Sequence, residues 1–232
     1  MYFFHSKEIW EQFPQLVPGV MYVKGIMPNA DITSRLTPWI RKAKDRFSKG
    51  QESEFPEVVA WRKVYSKMGL KPSKYRSAAE ALLRRLRKQG TLPHLHPLVD
   101  LCNAISVAFA LPVAVLDLDK VDSYLEVCKA NGSEEYLAFN GEVEHPREGE
   151  IIFRDKSGHA HARRWTFRQS KLSTVTDTTT RAMIISEGMH ETASKDIFSL
   201  MQALRQEIMA VGFECYEPRV LSVQNPRFDF PD

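Results

Sequence analysis

The feature that most constrains the fold of this 232-residue chain is the separation of its helix-forming segments from its strand-forming segments. Apolar residues recur at helical spacing before residue 112, whereas short segments rich in Val, Ile and aromatic residues follow it. Such segregation is typical of an α+β protein with an antiparallel sheet or partly closed β-barrel and helices packed around it. We predict one domain over 1–232, with a helix-rich half (1–111) and a strand-rich half (112–232).

Capping and breaking residues predict where the helices begin and end. In "SAAEALLRRLRKQG", Ser77 and Glu80 form a capping box, and Gly90 ends the helix. The other predicted helices are Thr37 (N-cap) to about Phe47, Pro56 to near Gly69, Pro97 to Pro112, and Lys195 to Val211. The predicted strands are "PGVMYVKGIM", "PVAVLDLD", "YLEVCKA", "GEIIFRD", "HARRWTFRQ", "RAMIISEG" and "FECYEPRVLSV", with "KSG" as a hairpin turn.

Several classes of protein are excluded by what the sequence lacks. Its longest apolar run, Ala104 to Leu116, contains Ser106, is broken by Pro112 and is too short to cross a bilayer. The first residues, "MYFFHSKEIWEQF", have no basic segment followed by an apolar one, so no secretion signal is predicted. The three cysteines are far apart and form no CxxC, as expected of reduced thiols in a cytoplasmic protein without membrane association.

Motifs for metals, phosphates and nucleophiles are also missing. The pairs His94-x-His96 and His159-x-His161 have no cysteine or carboxylate at ligand spacing, so we predict no metal site. No Gly-x-Ser-x-Gly occurs, and no glycine-rich loop appears among the 11 glycines. We therefore predict no cofactor and no kinase, NTPase or dinucleotide-binding activity.

Charge is distributed unevenly along the chain. Residues 71–90 hold seven Lys or Arg against one acid, and residues 154–171 hold six against one. Between them, residues 117–150 hold ten acids and three bases. This pattern favours a polarised surface that binds a polyanion, although solvated faces without a partner explain it equally well. In "HARRWTFRQ", strand alternation predicts Arg164, Thr166 and Arg168 on one face and Arg163, Trp165 and Phe167 on the other. This arrangement suits a phosphate-bearing ligand, and an exposed sheet face over core aromatic residues explains it as well.

Three polar residues interrupt the apolar segment "HPLVDLCNAIS". Asp100, Asn103 and Ser106 are spaced three apart and form one stripe on a helix. Asp100 suits the first turn of a helix, whereas a buried Asn is costly unless it is paired, so a pocket wall accounts for all three. Glu187, in the buried strand "RAMIISEG", likewise needs a partner or a ligand.

These segments resemble a known family. "HPLVDLCNAIS", "LPVAVLDLDK" and "RRWTFRQ…TTTRAMIISEG" occur in the order found in the B3/B4 domain, the editing domain of the phenylalanyl-tRNA synthetase β subunit, and the chain looks most like its free-standing relatives. The resemblance covers about Val17 to Met189. It implies a barrel-containing α+β fold and hydrolysis of an aminoacyl ester on mischarged tRNA, a task of translation quality control.

The resemblance also implies roles for individual residues. Asn103 matches an asparagine that lines the editing pocket, and we expect it to orient the ester or its water as the catalytic residue. Glu187 matches the glutamate that contacts the amino acid's polar group, and Cys102 stands where the synthetases often have threonine. Ala114 replaces the family's histidine, so tyrosine specificity is not expected. Asp100 and Ser106 complete the predicted substrate pocket.

The partner that the resemblance implies for the basic segments is tRNA. Its expected contacts are Lys74, Arg76, Arg84, Arg85, Arg164 and Arg168. Two other functions remain open: a non-catalytic tRNA- or RNA-binding protein that keeps the fold, and a hydrolase or binder of small amino-acid derivatives that needs no RNA.

Overall fold

A computed structural model describes residues 1–231 as a mixed α+β arrangement. The helices are α1 (Lys7–Gln12), α2 (Thr33–Arg46), α3 (Pro56–Lys67), α4 (Ala78–Gln89), α5 (Pro97–Phe109) and α6 (Ala193–Ala210). The strands are β1 (Tyr2–His5), β2 (Val17–Lys24), β3 (Val113–Asp117), β4 (Tyr124–Lys129), β5 (Tyr136–Leu137), β6 (Val143–Glu144), β7 (Ile151–Asp155), β8 (Ala160–Arg163), β9 (Arg168–Gln169), β10 (Arg181–Gly188), β11 (Glu214–Cys215), β12 (Arg219–Val220) and β13 (Arg227–Asp229). Short 3₁₀ helices cover Phe47–Lys49, Glu52–Glu54, Leu118–Lys120 and Lys171–Ser173.

The strands form two main sheets. The first has the order β13-β1-β4-β7-β8-β9, and the second has the order β11-β2-β10-β3 with β12 also paired to β2. Strands β5 and β6 form a separate hairpin. Paired strands are antiparallel except β1 and β4, which run parallel. Neither main sheet closes on itself within residues 1–231, so the α+β class is confirmed and the partly closed barrel is not.

Strand β10 carries core residues on both of its faces because it lies inside the second sheet. Met183 and Ile185 belong to the core between the two sheets, together with Phe153 and Trp165. On the opposite face, Ala182 and Ile184 contribute to a second core beneath α5 and α6. Alternation along a strand therefore assigns each side chain of β10 to one core or the other.

The strongest helix signals are confirmed, with two corrections. Ser77 accepts a hydrogen bond from the Glu80 backbone amide, and Gly90 ends α4 in the left-handed conformation. The Glu80 carboxylate, however, binds Arg62 rather than the N-cap amide, so only half of the capping box forms. Helix α2 begins at Thr33 instead of Thr37, and Pro38 lies inside it.

Strand β1 is an element that the sequence did not predict. It occupies a position inside the first sheet, between β4 and β13, and its side chains alternate between half-buried and buried. No helix within residues 1–231 combines the length and apolar character that crossing a bilayer requires. The cytoplasmic location stays a prediction.

Candidate functional site

Glu187 lies near the end of β10, on the strand face that points into the core between the sheets. Met183 and Ile185 precede it on that face at the two-residue spacing of a strand. Only 2 % of the Glu187 surface is exposed. A carboxylate in such a place needs hydrogen-bond donors, since burying an unpaired charge is costly.

Two side chains form hydrogen bonds with one oxygen of Glu187. His5 Nε2 lies 2.7 Å from Oε1, and Trp165 Nε1 lies 2.9 Å from the same atom. Trp61 Nε1 donates to the backbone carbonyl of Glu187 at 3.1 Å, which fixes the strand at this point. Oε2 accepts no hydrogen bond from any residue between 1 and 231. One oxygen is therefore anchored, and the other is available to a ligand.

Trp165 reaches Glu187 from the turn that joins β8 to β9. Arg164 and Trp165 are consecutive left-handed residues, with φ of 49° and 59°. This conformation costs a non-glycine residue about 1–2 kcal/mol. Trp165 offsets it by packing at 5.0–5.2 Å against Phe13 and Trp61 and by bonding Glu187. The predicted single strand "HARRWTFRQ" is therefore wrong, and so is the face shared by Arg164, Thr166 and Arg168.

A cavity of about 70 Å³ lies beside Glu187, between the two sheets. It is lined by Ala78, Pro112, Val113, Ala114, Leu116, Phe153, Ala162, Trp165, Thr166, Phe167, Arg168, Gln169, Ile185 and Glu187. Glu187 and Arg168 are the two ionisable side chains of this lining. Apolar walls with a few converging polar groups are typical of small-molecule sites, but this cavity is much smaller than the about 300–1,000 Å³ usual for them.

Polar contacts fix the wall opposite Glu187. The Tyr65 hydroxyl and Thr166 Oγ1 lie 3.0 Å apart, and the Ala78 amide donates to the Thr166 carbonyl at 2.8 Å. Burial raises the pKa of Tyr65, so its hydroxyl stays protonated and can donate. Gln169 Nε2 donates to the Val115 carbonyl at 2.8 Å, which ties β9 to β3. The first turn of α4 and the β8–β9 turn are thereby held against the cavity.

The predicted substrate residues divide into two groups. Glu187 and Ala114 line the same cavity. Cys102 is buried in the core beneath the second sheet, where burial raises the pKa of its thiol. Ser106 donates to the Leu111 carbonyl at 2.6 Å, which closes the end of α5.

Asp100 and Asn103 do not line the cavity. Asp100 accepts a hydrogen bond from the Leu95 amide at 2.9 Å and borders a separate surface groove of about 490 Å³ beside α2. This contact organises the loop before α5, which agrees with the expectation that Asp100 stabilises the first turn of this helix. Asn103 is half-buried on α5, and its amide forms no hydrogen bond within residues 1–231. Its role in orienting an ester stays a prediction.

Most of the predicted tRNA contacts lie close to carboxylates, so fewer of these basic side chains are unpaired than the sequence indicated. Arg168 lies 3.5 Å from Glu144, and Arg164 lies 3.9 Å from Glu150, so the acidic segment folds against these bases. Arg76 lies 3.5 Å from Glu80, and Arg84 lies 4.0 Å from Glu52. Among residues 1–231, Lys74 and Arg85 have no acidic partner within ion-pair distance, and both are exposed.

Aromatic and cationic side chains cluster at the mouth of the cavity. Tyr75 and Phe167 meet edge to face with centroids 5.3 Å apart. The Arg164 guanidinium lies 5.0 Å from the Tyr75 centroid, and Lys74 Nζ lies 5.5 Å from it. Phe167 also lines the cavity. Such a mixture is typical of surfaces that stack nucleobases and contact phosphates.

The histidine pair His159 and His161 has a structural partner, Asp155. His159 and His161 both approach Asp155 Oδ2, at 3.3 and 3.1 Å. Within residues 1–231 no group of three potential ligands has a geometry that could hold a metal ion. Burial alone would raise the pKa of Asp155, but hydrogen bonds from His161 and from the His159 and Asp122 amides hold it well below its usual range.

The fold and the site together define an α+β domain with a buried carboxylate between two sheets. The B3/4 domain model matches residues 60–202, and the chain belongs to this family. A solved structure with a similar fold is an N-terminal fragment of the phenylalanyl-tRNA synthetase β subunit from Pyrococcus horikoshii, with a TM-score of 0.51 and 10 % identity. The match covers 92 % of this chain and 49 % of that chain, so this chain spans about half of the fragment. No curated protein matches.

Sequence reasoning missed the two donors that hold Glu187. His5 lies in an unpredicted strand, 182 residues before its partner. Trp165 was assigned to a strand face rather than to a turn, because "RRWT" contains no Gly, Pro or Asn that would signal one. The sequence indicated only that a buried Glu187 needs a hydrogen-bond partner. It did not indicate which residues would be the partners.

Proposed function

We propose that this domain hydrolyses the ester of mischarged aminoacyl-tRNA, with the amino acid bound in the cavity beside Glu187. The observation that carries the proposal is the free Oε2 of a buried carboxylate that lines a cavity in a B3/4 domain. Membership of a family that includes synthetase editing domains supports tRNA as the partner. The small volume and apolar walls favour a single amino-acid side chain over a larger group.

The chemistry needs little catalytic machinery. An aminoacyl ester is already activated, so a site must hold a water, orient the ester and stabilise the developing oxyanion. The terminal ribose hydroxyl of the tRNA is proposed to assist. Glu187 is proposed to accept a hydrogen bond from the amino acid. Asn103 does not line the cavity, so its proposed role in orienting the ester or its water requires the ester to lie outside the cavity. Thr166 contributes a hydroxyl to the cavity wall, and Tyr65 holds that hydroxyl from behind.

The cluster at the cavity mouth is proposed to receive the terminal nucleotide. Tyr75 and Phe167 provide faces for a base, while Lys74, Arg164 and Arg168 contact the phosphates. Arg164 and Arg168 exchange their contacts to Glu150 and Glu144 for phosphate oxygens, so binding is expected to weaken as salt rises.

A second candidate is a non-catalytic RNA-binding protein. It is favoured by one observation: Asn103, the expected catalytic residue, is not part of the cavity lining. The two candidates predict the same RNA affinity and opposite results for hydrolysis.

The test is a panel of tRNAs, each charged with a different radiolabelled amino acid and incubated with the purified protein. Selective release of one or a few amino acids supports the proposed hydrolase. Binding of all tRNAs without release supports the non-catalytic protein. Salt-insensitive hydrolysis of free aminoacyl methyl esters, with no preference for tRNA, refutes both in favour of an enzyme that acts on small molecules.

A further inference from the structure

We propose that His5, with Trp165, anchors the Glu187 carboxylate so that Oε2 accepts a hydrogen bond from the α-ammonium group of the bound amino acid. This inference rests on the proposed function for the identity of the ligand, but the anchoring is independent of it. His5 lies outside the 60–202 segment that defines the family, so nothing in the family match assigns it a role.

The surroundings of His5 leave it one position. Its side chain is completely buried, and its ring packs against Phe3 at 5.2 Å and Trp10 at 5.4 Å. The strand that carries it is paired on both sides, parallel to β4 and antiparallel to β13. Nε2 therefore stays directed at Glu187 Oε1, 2.7 Å away.

The hydrogen-bond pattern favours one arrangement of protons on His5 and Glu187. The indole nitrogen of Trp165 can only donate, so Oε1 is an acceptor in that bond. His5 Nδ1 is buried without a hydrogen-bond partner within residues 1–231. An imidazolium would bury an unpaired N–H there, whereas the neutral Nε2–H tautomer leaves only a lone pair unpartnered. With His5 taken as the Nε2–H tautomer, Oε1 receives two hydrogen bonds, and the proposed site holds Glu187 as a carboxylate.

This arrangement leaves a negative charge without a cation. Glu187 forms no ion pair with Lys or Arg in residues 1–231, and Arg168, the other ionisable lining residue, pairs with Glu144. A buried charge is stabilised by a partner of opposite sign. An α-ammonium group supplies both the charge and the N–H donor that Oε2 lacks, whereas a hydroxyl supplies only the donor.

The anchoring is tested by nuclear magnetic resonance, which needs no activity. The chain has four tryptophans, so a ¹H–¹⁵N spectrum contains four indole signals, and Trp165→Phe identifies one of them. We expect His5→Phe to shift the Trp165 indole signal, because Glu187 turns when one donor is lost. His5→Gln keeps a hydrogen-bond donor, so its Trp165 indole signal should lie close to the wild-type position. Phe4→Leu is the matched control, since it perturbs the same strand on the face away from His5 and Glu187. Equal shifts in Phe4→Leu and His5→Phe, or none in His5→Phe, overturn the anchoring.

The ligand is tested with paired substrates that differ at the α-amino group. We expect wild-type protein to deacylate free aminoacyl-tRNA at least about 100-fold faster than the N-acetylated form, since a site built to bond a group rejects analogues that lack it. In His5→Phe this ratio should fall below about tenfold, with the larger change in KM. Equal rates on both forms overturn the α-ammonium assignment.

If wild-type protein cleaves neither form, the proposed function fails and the inference is judged by binding alone. The probes are then phenylalanine methyl ester and its N-acetyl derivative, each added to ¹⁵N-labelled protein while the Trp165 indole signal is recorded. A shift of the Trp165 signal with the free amine only supports the assignment. The same shift with both probes, or with neither, refutes it.

Discussion

Replacing Glu187 separates its structural contribution from its contribution to recognition. Glu187→Ala leaves the His5 and Trp165 donors buried and unpaired. Each unpaired donor costs about 1–3 kcal/mol, so the free energy of unfolding should fall by about 2–6 kcal/mol. That is a large part of the 5–15 kcal/mol typical of a folded domain. Loss of activity in this variant alone would therefore be ambiguous.

Glu187→Gln is the sharper change. Its amide oxygen can still accept both hydrogen bonds, and the exchange of a charged acceptor for a neutral one costs about 1–2 kcal/mol. The amide nitrogen replaces Oε2, so a donor faces the ligand where an acceptor stood. We expect a loss of at least about 100-fold in kcat/KM, equivalent to about 2.7 kcal/mol, while tRNA affinity is nearly unchanged.

The assay combines urea unfolding, followed by tryptophan fluorescence, with deacylation of the best substrate in the panel. The expected order of stability is wild type, then Glu187→Gln, then Glu187→Ala. If the two variants are equally stable, the two donors at Oε1 do not have the energetic role inferred from their distances. If Glu187→Gln keeps full activity, Oε2 does not contact the substrate.

Three further predictions concern other parts of the molecule. Replacing Arg164 and Arg168 together by alanine should weaken tRNA binding and reduce the slope of log affinity against log salt by about 1.4–1.8, at 0.7–0.9 per phosphate contact; an unchanged slope removes them from the interface. Because Ala114 lines the cavity where the family has histidine, tyrosyl-tRNA for phenylalanine should be a poor substrate in the panel, and its efficient, selective hydrolysis would show that this inference is wrong. The lowered pKa of Asp155 means that the unfolded chain binds its proton more readily, so its stabilising contribution is present above about pH 4 and is lost as the pH falls further. In Asp155→Asn, urea midpoints measured between pH 5 and pH 3 should decline less steeply than in wild type, and parallel declines would contradict this account.

Local signals explain which elements could be predicted from sequence. Residues with strong preferences flank helices α4 and α5: Ser77 and Gly90 cap α4, whereas Pro97 starts α5 and Pro112 follows its end at Phe109. Strand β1 has no such signal. Its four residues form a short apolar segment, and both of its partner strands are more than a hundred residues away in sequence.

The candidate site was predicted in part for the same reason. The burial of Glu187 follows from the apolar residues around it, and a partner was required on energetic grounds. The stripe of Asp100, Asn103 and Ser106 was less informative, because Asp100 and Ser106 bond backbone groups only five residues away. Sequence spacing shows that residues share a helix face, but not whether that face meets a cavity or a neighbouring loop.

The placement of β1 has a consequence for the order of events during biosynthesis. This strand is synthesised before both of its partner strands, β4 and β13. His5 must also wait for Glu187, 182 residues later. Contacts between such distant segments form slowly, since a long loop must close first. A nascent chain therefore cannot form the complete carboxylate site until β10 has been synthesised. Glu187 reaches its buried position beside His5 only when both sheets have assembled.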